Sequence, residues 1–257
     1  LLTTFGWTHN TAGGILVALA LVGVAGLAIA LRITNYELRI TKTPYGKVKV
    51  SVGKYKDEDI VFLPRHGFDY SISPHRINYR ANIDALRRLK IDYILASATC
   101  GAINKRMKPG DFVLLSDFID ATYGRIQTFN PSGKPIYTDL THPYSLKLNA
   151  LLKKAALKNR FRIHDRAIYV CTEGPRFETP AEIKAYQKLG ADVVGMTQVP
   201  EVVLASEAGI PYSALAIVTN YAAGISLKKI SAEEVFGMMN LKKKDITKVF
   251  AKVIEEL

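Results

Sequence analysis

The sequence predicts an α/β domain with a mixed central sheet flanked by helices. Three observations carry that prediction. From about residue 33 onward, apolar runs of strand length alternate with amphipathic stretches of helix length, the pattern of a layered α/β domain. Residues 36–64 alternate polar and apolar positions, whereas later runs such as 91–98 are continuously apolar. The first pattern suits antiparallel strands and the second suits strands covered on both faces. At 257 residues the chain is long enough for one such domain with a sizeable core.

Before the alternation begins, residues 1–31 carry no charged side chain apart from whatever His9 carries. The run from Ala12 to Leu31 has about the length, roughly 20 residues, that a helix needs to cross a bilayer. Trp7 precedes it like an interfacial anchor, and basic residues appear only after it, at Arg32, Arg39, Lys42, Lys47 and Lys49. The run therefore predicts a transmembrane helix, which divides the chain into an apolar segment, 1–32, and a domain, 33–257. The basic flank places that domain on the cytoplasmic side of a single-pass membrane protein. A cleaved signal peptide fits poorly, because no basic region precedes the run. A competing account makes Leu16 to Val22 the first strand of the sheet, since central parallel strands are also near-continuous apolar runs. The chain opens on Leu1 rather than methionine, so a processed or longer N-terminus is expected.

The remaining elements follow in order. Val48, Val50 and Val52, then Ile60 to Leu63, mark the alternating strands, and a helix ends near Leu89. Ile91 to Ala98 reads as a buried strand that stops at Thr99-Cys100-Gly101. Residues 130–144, rich in Pro, Gly and Thr, read as a loop before an amphipathic helix from Ser145 to Asn159. Ala167 to Val170 is apolar, and a helix runs through Ala185 to Leu189. Ala191 to Gly195 and Tyr212 to Val218 read as strands on either side of a helix from Pro200 to Glu207. Ser231 caps a C-terminal helix with Glu233 and Glu234 in its first turn, where carboxylates favour the helix dipole.

The net charge of +12 suggests an anionic neighbour. The basic residues are nevertheless spread along the chain, and the one run, Lys242-Lys243-Lys244, reads as a solvated helix face. No nucleic-acid-binding motif accompanies it. Cys100 and Cys171 lie in apolar text without metal-ligand spacing, so they read as reduced, buried thiols, and no metal site is expected.

The stretch from Cys171 to Glu182 concentrates the chemistry. Gly174 and Pro175 break a strand, Phe177 offers a flat apolar face, and Glu178 sets an acceptor beside it. That pair suits a flat heterocycle bearing an N–H. The same text also encodes a helix start, with Thr179 as N-cap, Pro180 in the first turn and Glu182 at the third position, a capping box.

Gly-Pro-Arg-Phe-Glu-Thr (174–179), with Val-Gly-Met-Thr (194–197) and Val-Thr-Asn-Tyr-Ala-Ala-Gly (218–224), closely resembles the purine nucleoside phosphorylase superfamily. The nearest branch is that of the methylthioadenosine and methylthioinosine phosphorylases. Thr43-Pro44-Tyr45-Gly46, Pro64-Arg65-His66-Gly67 and Lys108 to Leu114 extend the resemblance over nearly the whole chain. The resemblance implies phosphorolysis of a nucleoside, with phosphate as co-substrate and no cofactor. It implies that Phe177 packs on the purine, Glu178 accepts from N1–H, and Asn220 bonds the 6-oxo oxygen and N7. Met196 would lie against the ribose, with Phe236 and Ala232 lining the 5′ pocket. Arg65, His66 and Thr197 stand where the family binds phosphate. An amide at 220 can donate to a 6-oxo group, whereas the adenosine-type branch carries an aspartate there. The expected substrates are therefore inosine, guanosine or 5′-methylthioinosine. The resemblance also implies a homotrimer in which Tyr137 visits a neighbour's site.

The phosphate side departs from the family text. The family's phosphate loop falls on Gly23-Val24-Ala25-Gly26-Leu27, with Ala25 where a hydroxyl is usual. Ala98 replaces a second hydroxyl, and Tyr70 replaces the second histidine after Arg-His-Gly. Each lost donor to a charged acceptor is worth about 1.5–3 kcal/mol. Two readings follow: a 6-oxopurine nucleoside phosphorylase, or a catalytically impaired phosphorylase-like subunit anchored in a membrane assembly.

Overall fold

A computed structural model describes residues 16–20, 34–56 and 58–257. Its centre is one mixed nine-stranded sheet. The strands are β1 (Leu16–Ala20), β2 (Thr34–Thr43), β3 (Gly46–Tyr55), β4 (Glu58–Leu63) and β5 (Tyr93–Ala102). They continue as β6 (Phe112–Ala121), β7 (Ile163–Thr172), β8 (Val193–Gly195) and β9 (Tyr212–Tyr221). The helices among the described residues are α1 (Tyr79–Arg88), α2 (Leu146–Lys158), α3 (Pro180–Lys188), α4 (Glu201–Glu207) and α5 (Ala232–Ile254).

The strand order is β2-β3-β4-β1-β5-β8-β7-β6-β9, and β9 also pairs with β5. That last pairing closes β5, β8, β7, β6 and β9 on themselves, while β4, β3 and β2 extend from β1 as an arm. The β2–β3 and β3–β4 pairs are antiparallel, as the alternation in residues 36–64 implies.

The apolar N-terminal run is corrected at its centre. Leu16–Ala20 is a strand, in parallel register with β4 from Asp59 to Leu63 and with β5 from Tyr93 to Ala96. Five residues expected within a transmembrane helix instead lie in a sheet, where the neighbouring strands take up the backbone donors and acceptors. A continuous apolar run is what such a central position requires. Among the described residues no helix is long and apolar enough to cross a membrane. Residues 12–15 and 21–31, with the phosphate-loop text at 23–27, lie outside the described residues.

Period-two alternation sorts the strands onto two cores. Ile94, Ala96 and Ala98 of β5 and Ala214 and Ala216 of β9 pack with residues of α1 and α4. Leu95, Leu215 and Ile217 face the opposite way, against Leu148 and Leu152 of α2 and Val249 and Phe250 of α5. Helix starts follow the sequence signals. Ser145 and Ser231 each accept from the backbone N–H three residues on, and Thr179 with Glu182 forms the expected capping box.

Candidate active site

The C-terminal ends of β5, β7, β8 and β9 open into one cleft, roofed by the 66–74 segment and the first turns of α5. Sheet ends are where open α/β folds place ligands, because side chains from several loops converge there.

Four sequence-predicted residues form the wall suited to a base and a sugar. Phe177, Glu178, Met196 and Asn220 all line the cleft. Phe177 is 38% exposed, so one ring face is open to a ligand. Glu178 is nearly buried and accepts a hydrogen bond from the Thr172 hydroxyl at 2.6 Å. Burial pushes its carboxyl above the usual range, although the Thr172 bond opposes the shift. Asn220 Oδ1 accepts from Thr219 Oγ1 at 2.8 Å, and Nδ2 donates to the Tyr221 carbonyl at 2.9 Å. One amide hydrogen and one lone pair remain to face the cleft. Gly174, at φ +68°, lets the turn approach the Met196 side chain; a Cβ there would stand 2.6 Å from Sδ.

Ala232 and Phe236 also line the cleft, from the start of α5. Tyr70 joins them, stacked on His66 at 4.6 Å between ring centroids and edge-on to Phe236 at 5.1 Å. The replaced histidine thus becomes part of an aromatic wall.

On the phosphate side, His66 and Thr197 reach the cleft. His66 Nδ1 lies 2.8 Å from the Ile72 carbonyl, which can only accept, so Nδ1 carries the proton and Nε2 is free. Burial pushes the His66 pKa down to about 4, with the neighbouring Arg65 charge acting in the same direction. The imidazole is neutral at physiological pH. Arg65 is placed differently from the sequence expectation. Its side chain is fully buried behind the cleft, in a bidentate pair with Glu201 at 2.5 and 2.8 Å, and Nη1 donates to the Ser97 carbonyl. Burial opposes its charge, but Glu201 holds the guanidinium protonated.

Sequence reasoning missed several residues here. Thr172 and Thr219 orient the two polar groups that face a base, and Thr99 lines the cleft beside Ala98. Thr99 and Thr219 stood within quoted motifs, so adjacency alone could have flagged them. Arg125 gave no local signal. Cys100 and Cys171 are free and buried, and burial pushes the Cys171 thiol up to about 12, so both remain inert thiols. No cluster of metal-ligating side chains occurs among the described residues.

The family model of the phosphorylase superfamily matches residues 14–255. The chain belongs to that superfamily. It is 47% identical over 243 residues to a 6-oxopurine nucleoside phosphorylase of Pyrococcus furiosus, covering 92% of this chain and 91% of the relative. A protein of Methanopyrus kandleri described as a probable S-methyl-5′-thioinosine phosphorylase is 46% identical over 202 residues, 78% of each chain. Among solved structures, methylthioadenosine phosphorylase of Schistosoma mansoni with adenine bound superposes with a TM-score of 0.88 at 29% identity. That match covers 95% of this chain and 91% of that one. These matches agree with the resemblance read from the motifs.

Proposed function

We propose that the chain catalyses phosphorolysis of 6-oxopurine nucleosides, converting inosine, guanosine or 5′-methylthioinosine to free base and a ribose 1-phosphate derivative. The observation that carries the reading is the orientation of Asn220 beside Glu178. The Thr219 hydroxyl ties the amide oxygen, which leaves N–H directed at an acceptor, and Glu178 supplies an acceptor for N1–H. Relatives that bear this activity in their names support it.

In this reaction a phosphate oxygen bonds to C1′ as the C1′–N9 bond breaks, and the bonding pair leaves on the purine. A donor aimed at O6 gains strength as that charge develops, and the leaving purine is neutralised by a proton taken at N7 from solvent. Asn220 offers the donor to O6 and, once N7 is protonated, an acceptor for N7–H, while Glu178 fixes the base through N1–H. Phe177 packs on the ring, Met196 on the ribose, and Ala232 with Phe236 on the 5′ substituent. The Thr197 hydroxyl donates to phosphate and His66 Nε2 accepts the O–H of hydrogenphosphate, while Arg65, its charge matched by Glu201, braces the wall behind them through the Ser97 carbonyl. Phosphate is the co-substrate, and the scheme requires no cofactor. We further propose a homotrimer. Tyr137, 94% exposed on the 130–144 loop, is free to reach a neighbouring cleft, and sedimentation giving only monomer would remove this proposal.

The test is phosphate-dependent release of hypoxanthine from inosine or methylthioinosine by purified protein. Release that requires phosphate is the expected result. Absence of release at high enzyme concentration, with hypoxanthine still bound, would instead favour a non-catalytic subunit.

A further inference from the structure

We propose that Arg125 is a positioning residue that fixes the spacing between the two walls of the cleft, and through it nucleoside affinity and base preference. The proposal rests on the phosphorylase reading above. Arg125 does not line the cleft. It follows β6, after a bend at Gly124 with φ +68° that turns the chain back toward the sheet. Its side chain is only 5% exposed.

An arginine side chain has five N–H donors in a fixed planar fork, and here each has an acceptor. Nη1 donates to the carbonyls of Met196 at 2.9 Å and Val199 at 2.7 Å. Nη2 donates to the carbonyls of Thr172 at 3.3 Å and Glu173 at 2.7 Å. Nε donates to the Glu173 carboxylate at 3.1 Å. The Tyr79 ring lies under the guanidinium, 5.4 Å from its centre.

The four carbonyls belong to two separate segments of chain. Thr172 and Glu173 begin the turn that carries Phe177 and Glu178, and the Thr172 hydroxyl holds Glu178 itself. Met196 and Val199 bracket Thr197, the segment that faces ribose and phosphate. One planar cation therefore ties the base wall to the sugar wall. Gly174 shows how close the two are drawn, since its missing Cβ leaves room for Met196. Lysine cannot replace this fork, because its three donors leave from a single point.

The test compares wild type with Arg125→Lys and Arg125→Ala. Small misplacements remote from the chemistry cost up to about a hundredfold. The inosine KM of Arg125→Lys is expected to rise about tenfold or more by that measure, with hypoxanthine Kd rising in parallel. Phosphate KM should rise less than inosine KM, since of the phosphate groups only Thr197 lies on the tied segment, while His66 is held by the Ile72 carbonyl. The preference for hypoxanthine over adenine should narrow. Hydrogen exchange should quicken at residues 172–178 and 195–199 together, and guanidinium ion should partly restore Arg125→Ala. If the alanine variant does not fold, the lysine variant carries the test alone. Unchanged KM, Kd and exchange, with only a lower Tm, would overturn the proposal. Wild type that releases no base overturns the phosphorylase reading instead. Hypoxanthine affinity and exchange then still decide the role of Arg125, and unchanged exchange alone sinks it.

Discussion

Asn220 and Glu178 are each held by a threonine hydroxyl, so the polarity they show a ligand is set before any ligand arrives. Replacing the amide by a carboxylate removes the N–H that faces O6. Asn220→Asp should narrow or reverse the preference for hypoxanthine over adenine, by a factor matching about 1–3 kcal/mol for an unpaired buried group. Equal affinity of the parent protein for the two bases would refute the assignment. Glu178 adds a pH dependence with a definite sign. It accepts N1–H far more strongly as the carboxylate than as the neutral carboxyl, and burial raises its pKa. Acidification should weaken hypoxanthine binding earlier than an ordinary glutamate would allow. The protonated carboxyl can donate to the bare N1 of adenine, so the adenine-to-hypoxanthine affinity ratio should rise as pH falls. Calorimetric titration of both bases across the acid range measures it, and a ratio independent of pH would count against Glu178 at N1. At this scale the motifs made Phe177, Glu178, Met196 and Asn220 legible. Arg125 was not, because its partner Met196 lies 71 residues away and an arginine in polar text reads like surface. Arg65 was expected on the phosphate side, but it lies buried behind the cleft, because Glu201, 136 residues away, decides where the guanidinium points.

The turn between β7 and α3 shows how an element places a site. Gly174 occupies the left-handed region, and Thr179 and Glu182 cap the helix that follows, so Phe177 and Glu178 are fixed between two stops. Gly174→Ala meets two penalties: the left-handed conformation costs roughly 1–2 kcal/mol for a residue with a Cβ, and that Cβ meets Met196. Denaturant unfolding should show a loss of at least that order, and nucleoside KM should rise with it. A variant with wild-type stability and KM would mean the turn adapts freely. The capping box and the Ser145 and Ser231 caps were legible because both partners sit within three residues. The strand β8 was legible as Ala191 to Gly195, but its antiparallel pairing with β5 and the β5–β9 pairing were not, since both depend on strands distant in sequence. The antiparallel arm was readable from alternation alone.

On the scale of the whole molecule, the deciding element is β1, which bridges the antiparallel arm and the closed part of the sheet. The charge-free run that contains it satisfied every compositional test for a bilayer helix, because a strand between two parallel neighbours and a membrane span both demand continuous apolar text. Composition could not separate them; pairing does. With Leu16–Ala20 hydrogen-bonded to β4 and β5, the flanking pieces of the run, 12–15 and 21–31, are each far shorter than the roughly 20 residues a spanning helix requires. We therefore expect residues 12–31 not to anchor the protein, so that carbonate extraction of native membranes leaves it in the supernatant. Replacing Ala18 by Asp supplies a second measurement. A charge at the centre of β1 should break the sheet where arm and closed barrel meet, lowering Tm and abolishing purine binding together. Retention in the carbonate pellet, with Ala18→Asp still folded and binding hypoxanthine, would show that the run serves a membrane and that the sheet does not need it.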